Sequence, residues 1–87
     1  MSPSYKYVVD GRVLEVFAGS TRREREELLR IWRELAASPY RKGEWFQRTA
    51  AGRELQVQRT GRWLVRYWRD DPVLEVRIVD VERVVPR

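Results

Sequence analysis

The chain has 87 residues, of which 43% are apolar and 11% aromatic, and its 18 Lys and Arg against 13 Asp and Glu give a formal net charge of +5. That length supports one core rather than two, since independent cores take about 50 residues or more apiece, and the apolar content is that of a globular domain. With no cysteine and no histidine, disulfides, thiolate metal sites and imidazole acid–base chemistry are excluded, and no metal or cofactor is expected.

The first readable element is Tyr5 to Val9, followed by Asp10-Gly11 and the β-prone run Arg12 to Phe17. Asp-Gly between two such runs is a hairpin signal, because both central positions of a type I′ turn need positive φ; a single strand with an irregular connection is the other reading. Thr21-Arg22-Arg23-Glu24 fits a capping box and predicts a helix from about Arg22. Leu28, Ile31, Trp32, Leu35 and Ala36 form one apolar stripe, while Arg22/Glu26, Arg23/Glu27, Glu26/Arg30 and Arg30/Glu34 are spaced to pair on the wet side. Alternating signs that nearly cancel make this face a solvated surface. Ser38-Pro39 ends the helix, because the residue before proline is driven out of helical geometry.

From Glu44 the pattern changes to period two, with turn signals at Ala50-Ala51-Gly52, Thr60-Gly61 and Asp70-Asp71-Pro72. Four antiparallel strands are predicted, near 44–48, 53–59, 62–69 and 73–83. Trp63, Val65 and Tyr67 oppose Leu64, Arg66 and Trp68; Leu55 and Val57 oppose Glu54, Gln56 and Gln58; Leu74, Val76 and Ile78 oppose Glu75 and Arg77. One face is then apolar under the helix and the other carries arginines. The alternation is lost after Val79, where a bulge would restore it. The expected fold class is α+β: an N-terminal strand or hairpin and one main helix packed on a four-stranded antiparallel meander, all within one domain.

Charge is unevenly spread. Residues 38–69 hold eight basic residues against two acids, a net of +6, which makes Arg41, Lys42, Arg48, Arg53, Arg59 and Arg62 candidate nucleic-acid contacts. Sixteen of the eighteen cations are arginine, suited to bidentate phosphate contact, although an arginine-rich proteome produces the same bias. No apolar run approaches the roughly 18 residues that span a bilayer, and Met1-Ser2-Pro3-Ser4 lacks the regions of a signal peptide. No membrane partner and a cytoplasmic location are expected.

Gly52-Arg53-Glu54-Leu55-Gln56-Val57, Gly61-Arg62-Trp63-Leu64-Val65-Arg66-Tyr67, Asp70-Asp71 and Val76-Arg77-Ile78-Val79-Asp80-Val81-Glu82-Arg83 together resemble the RelE/ParE superfamily of bacterial toxins. In that superfamily a glycine turn leads to an aromatic, a strand ending in tyrosine, an acidic turn and a last strand ending in arginine. The resemblance covers residues 44–83 and, loosely, the helix. It implies a toxin neutralised by a cognate antitoxin that wraps its surface. In the RelE branch it also implies messenger RNA cleavage on the ribosome by attack of a 2′-hydroxyl on the neighbouring phosphate.

Carried over by position, the last-strand arginine is Arg83, whereas the two expected lysines fall at Glu54 and Gln56 and the third-strand arginine at Leu64. The usual C-terminal tyrosine has no counterpart beside Pro86-Arg87. Arg66 and Arg77 could replace the lost cation and, with Arg83, stabilise phosphate charge; they could equally form a cross-strand ladder with Glu54 and Glu75. Glu54 is either a general base or an ion-pair partner, and Trp68 either stacks on a base or covers the far side of the sheet. The departures suit a second reading, a non-catalytic relative that inhibits DNA gyrase as ParE does or only binds an antitoxin. A third, a plain RNA- or DNA-binding module, requires only the basic face.

Overall fold

The computed structural model describes residues 4–84; Met1–Pro3 and the C-terminal Pro86-Arg87 named above lie outside the described residues. In chain order the elements are β1 (Lys6–Val9), α1 (Gly11–Ala18), α2 (Arg22–Ala37), β2 (Trp45–Arg48), β3 (Glu54–Thr60), β4 (Trp63–Asp70), a 3-10 turn (Asp71–Val73) and β5 (Glu75–Arg83). The strands form one sheet in the order β1-β5-β4-β3-β2, with β1 parallel to β5 and every other pair antiparallel. No helix of the described residues is long and apolar enough to cross a membrane.

Asp10-Gly11 is not a hairpin turn, and Arg12–Phe17 is helix rather than strand. The next strand in sequence, β2, lies at the opposite edge of the sheet from β1, and α1 and α2 carry the chain between the two edges. The run also has helical spacing: Val13 is fully buried and Val16 and Phe17 pack against the core, positions i, i+3 and i+4 of one face.

Helix α2 begins where the sequence places it. The Thr21 hydroxyl accepts from the Glu24 amide at 3.2 Å and the Glu24 carboxylate accepts from the Thr21 amide at 2.9 Å, a complete capping box. Leu28, Ile31, Trp32 and Leu35 are buried against β1 and β5. Of the four ion pairs spaced along the helix, Arg22–Glu26 forms, at 3.4 Å; Glu27 turns away toward the sheet.

On β4 the alternation is as predicted, with Trp63, Val65 and Tyr67 buried under the helices. β3 differs. The two-residue turn Gly61-Arg62, where Gly61 has φ +58°, pairs Thr60 with Trp63 and therefore Val57 with Arg66. Directly paired residues share a face, so Leu55 and Val57 lie on the side away from α2, with Arg66 and Trp68. They are buried there outside the main core cluster, and the arginine-bearing face is partly apolar.

The last strand begins at Glu75 rather than Val73, since Asp71–Val73 makes a 3-10 turn closed by Leu74 at φ 53°. Along β5, Arg66 pairs with Asp80 but Tyr67 with Ile78, leaving Val79 as the extra residue of a bulge. The bulge shifts the phase, so Val76 and Ile78 are joined in the core by Val81.

Candidate functional site

The residues singled out in the sequence fall into three places. On the sheet face away from α2, Arg66 and Arg77 lie on one side, as their spacing predicts, yet they do not act as a pair. Arg66 donates to Asp80 Oδ2 at 2.8 Å and to Gln47 Oε1 at 2.8 Å. Arg77 stands opposite Trp68 and donates to Glu75 at 3.1 Å. The expected cross-strand ladder with Glu54 and Glu75 does not form: Arg77 meets Glu75 within β5, Arg66 takes Asp80 across the strands, and Glu54 points to the other face, 3.9 Å from Arg48. The Arg53 guanidinium lies 3.7 Å from the centroid of the Trp68 ring, in cation–π contact. Arg59 is exposed at the hairpin end of this face.

Arg83 is elsewhere. It pairs with Trp63, whose side chain is in the core, so it points to the helix side and is separated from Arg66 and Arg77 by the sheet itself. There it donates to Glu24 Oε2 at 2.7 Å and to Ser20 Oγ at 2.9 Å. Arg62 reaches the same place and meets Glu27 at 3.1 Å, while the Trp63 indole donates to Glu27 Oε2 at 3.0 Å. Glu24 is 8% exposed. The hydrogen bond from Arg83, with the Thr21 amide second, pulls its pKa down to about 2, and Glu24 in turn raises that of Arg83. These groups rim a groove of about 560 Å³ floored by Ile31, Trp63 and Val84.

The third place is a cleft of about 450 Å³ where β3 begins and β4 ends. Arg41 and Lys42 come from the loop after α2, Arg53 from the turn just before β3, Glu54, Trp68 and Arg69 from the strands, and Tyr40 stands on the rim. The loop is seated by Gly43, whose amide donates to Gln56 Oε1 at 2.8 Å. A Cβ at that position would come within 2.5 Å of the Val57 carbonyl oxygen, so the backbones meet as only glycine permits. The buried Tyr67 hydroxyl donates to the Arg41 carbonyl at 3.4 Å, and burial raises its pKa. Behind the rim, Tyr5 donates to Asp71 at 2.7 Å and contacts the Tyr40 hydroxyl at 3.3 Å. Arg69 bonds Asp71 at 2.6 Å and lies 4.3 Å from the centroid of the Tyr40 ring. The Tyr5 hydrogen bond and then Arg69 lower the Asp71 pKa; the bonds to Tyr40 and Asp71 raise that of Tyr5.

Arg41, Lys42 and Arg53 make no ion pair among the described residues. The predicted nucleic-acid residues therefore divide. Arg41, Lys42, Arg53 and Trp68 converge on the cleft, Arg48 and Arg59 stand apart from it, and Arg62 belongs with Arg83. Tyr40 and Arg69 were not among the candidates, although Pro39-Tyr40-Arg41-Lys42, an aromatic and two cations just past a helix stop, is a visible signal.

No family model matches the chain, and no curated protein matches it. Solved structures do. The toxin–antitoxin complex RelBE2 from Mycobacterium tuberculosis contains a chain 18% identical, with a TM-score of 0.76 over 93% of this chain and 99% of that one. The archaeal RelE–RelB complex from Pyrococcus horikoshii contains one 13% identical, with a TM-score of 0.72 over 93% and 96%. At these identities the likeness speaks to architecture, and the chain has the fold of RelE toxins.

Proposed function

We propose that this protein is the toxin half of a toxin–antitoxin pair and acts as a RelE-like, ribosome-dependent endoribonuclease that inhibits translation in the cytoplasm, with a cognate antitoxin as its protein partner. The observation that carries this reading is the likeness, over 93% of the chain, to RelE toxins in complex with RelB. Arg41, Lys42 and Arg53, which no carboxylate of the described residues pairs with, support it, since strand cleavage in RNA needs positive charge at the phosphate.

In that reaction the 2′-oxygen bonds to the adjacent phosphorus, its proton leaves, and the bond from phosphorus to the 5′-oxygen breaks as that oxygen takes up a proton. Arg41, Lys42 and Arg53 offset the charge that builds on the phosphoryl oxygens. Glu54 is the cleft's carboxylate and the candidate base. Arg66 and Arg77 on the far face, and Arg83 against Glu24, join the chemistry only by leaving their carboxylates.

The test is a purified translation system programmed with one defined messenger RNA, with the products mapped by primer extension. Arrest with cuts in ribosome-bound message, and none in free RNA, is the expected result; neither arrest nor cuts ends the reading.

A second reading, a non-catalytic relative, is favoured by the carboxylate pairing of Arg66, Arg77 and Arg83. Inhibition of DNA gyrase supercoiling by the protein identifies the ParE-like form. Antitoxin binding with neither activity identifies the relic.

A further inference from the structure

The cleft holds more positive charge than its neighbours cancel. Arg69 is matched by Asp71 at 2.6 Å and Glu54 is held 3.9 Å from Arg48, which leaves Arg41, Lys42 and Arg53 as three cations converging on one cavity. Its 450 Å³ lies in the range of small-molecule sites, about 300–1,000 Å³, and exceeds what an inorganic anion fills.

The two aromatic rings at the cleft are each covered by a guanidinium, but not equivalently. Arg69 over Tyr40 is tied by Asp71, so that ring stays covered. Arg53, 3.7 Å from the centroid of Trp68, has no carboxylate among the described residues to hold it. A planar aromatic group can take its place over the indole, and every nucleobase presents a π-face for such stacking. Leaving the ring, Arg53 still lines the cavity that Arg41 and Lys42 line, where the three cations can meet one phosphate.

We infer that the cleft is a subsite for one nucleotide of single-stranded RNA, in which the base displaces Arg53 from Trp68 and the freed guanidinium joins Arg41 and Lys42 on the adjoining phosphate. This rests on the reading of the protein as an RNA-cutting toxin and places the RNA at the cleft, beside Arg77, whose guanidinium lies 5.9 Å from the centroid of Trp68, rather than at Arg66 or Arg83. Arg53 is an exchangeable cap, and Trp68 is the residue that distinguishes a nucleotide from a bare anion.

Adenosine 3′,5′-bisphosphate and pyrophosphate, titrated separately into the isolated protein, test the inference. Binding is followed by tryptophan fluorescence and by the indole N–H resonances of Trp63 and Trp68. The bisphosphate should shift the Trp68 resonance and leave that of Trp63 in place. Trp68→Leu should weaken the bisphosphate about tenfold or more without changing pyrophosphate affinity. Arg53→Gln should weaken both, and Tyr40→Leu neither. Equal affinity for the two probes, a shift at Trp63 instead, or no Trp68 shift in the wild-type protein would overturn the subsite. Since the wild-type spectrum decides alone, a Trp68→Leu chain that fails to fold does not blunt the test. No ribosome is involved, so a protein that arrests translation yet shows no Trp68 shift loses the subsite and keeps the toxin reading. One that shows the shift but neither arrests translation nor cuts message does the reverse.

Discussion

The two ends of the sheet use arginine in opposite ways. Where β4 starts, Arg62 and Arg83 meet Glu24 and Glu27 from α2 and tie the helix to the sheet over a buried tryptophan. Where β4 ends, α2 has already stopped at Ser38, and the loop that follows brings two more cations and no acid that pairs with them. A guanidinium facing a desolvated carboxylate is part of the scaffold, and its charge is spent. Where no carboxylate pairs with it, its charge is available to an anion. The carboxylates, not the arginines, tell the two ends apart.

Substitutions separate the two ends most sharply at Trp63. Trp63→Ala removes a fully buried indole and should cost about 3–5 kcal/mol, most of the stability of a domain this size; a melting curve close to wild type would contradict the scaffold role of that end. Next comes Gly43→Ala. The close approach to Val57 makes overpacking worth about 1–3 kcal/mol, and because this glycine seats the cleft loop, RNA affinity should fall along with melting temperature.

Acid should act more strongly at the Glu24 end than at the cleft end, where Asp71 also has a lowered pKa. With its pKa held at about 2 against an ordinary 4.5, Glu24 adds stability that is fully present above about pH 5 and is lost as pH falls toward 2. Denaturant midpoints measured across that window should fall more steeply in the wild-type protein than in Glu24→Gln; equal slopes would mean that Arg83 does not hold Glu24 as the geometry has it. The smallest effect on stability belongs to the cleft. Arg41→Gln combined with Lys42→Gln should leave unfolding unchanged within about 0.5 kcal/mol. The same pair should flatten the salt dependence of single-stranded RNA binding by about 0.7 per cation removed.

Much of the fold was legible because it is written in local signals. Thr21 and Glu24 state where α2 begins, Ser38-Pro39 where it ends, and Trp63, Val65 and Tyr67 which face of β4 is buried. Asp10-Gly11 misled because Val13, Val16 and Phe17 satisfy a helix as well as a strand, and only the partner of β1 decides between them. Leu55 and Val57 were assigned to the wrong face although a clue was present: a two-residue turn at Gly61-Arg62 makes Thr60 and Trp63 face alike, which puts Val57 beside Arg66. The bulge at Val79 was legible as lost alternation, and its effect of carrying Val81 into the core follows directly.

Local signals in the sequence were enough for the α+β class, a capped amphipathic helix, a C-terminal meander and a surplus of cations in residues 38–69. Those features rest on neighbours in the chain and on period. What the contacts in space add is which cations are paired, because a carboxylate 59 residues away in sequence lies 2.7 Å from Arg83 while none among the described residues pairs with Arg41, Lys42 or Arg53. Coulombic pairing depends on distance in space, and distance in space is set by the register of β4 on β5 and by where α2 lies across them.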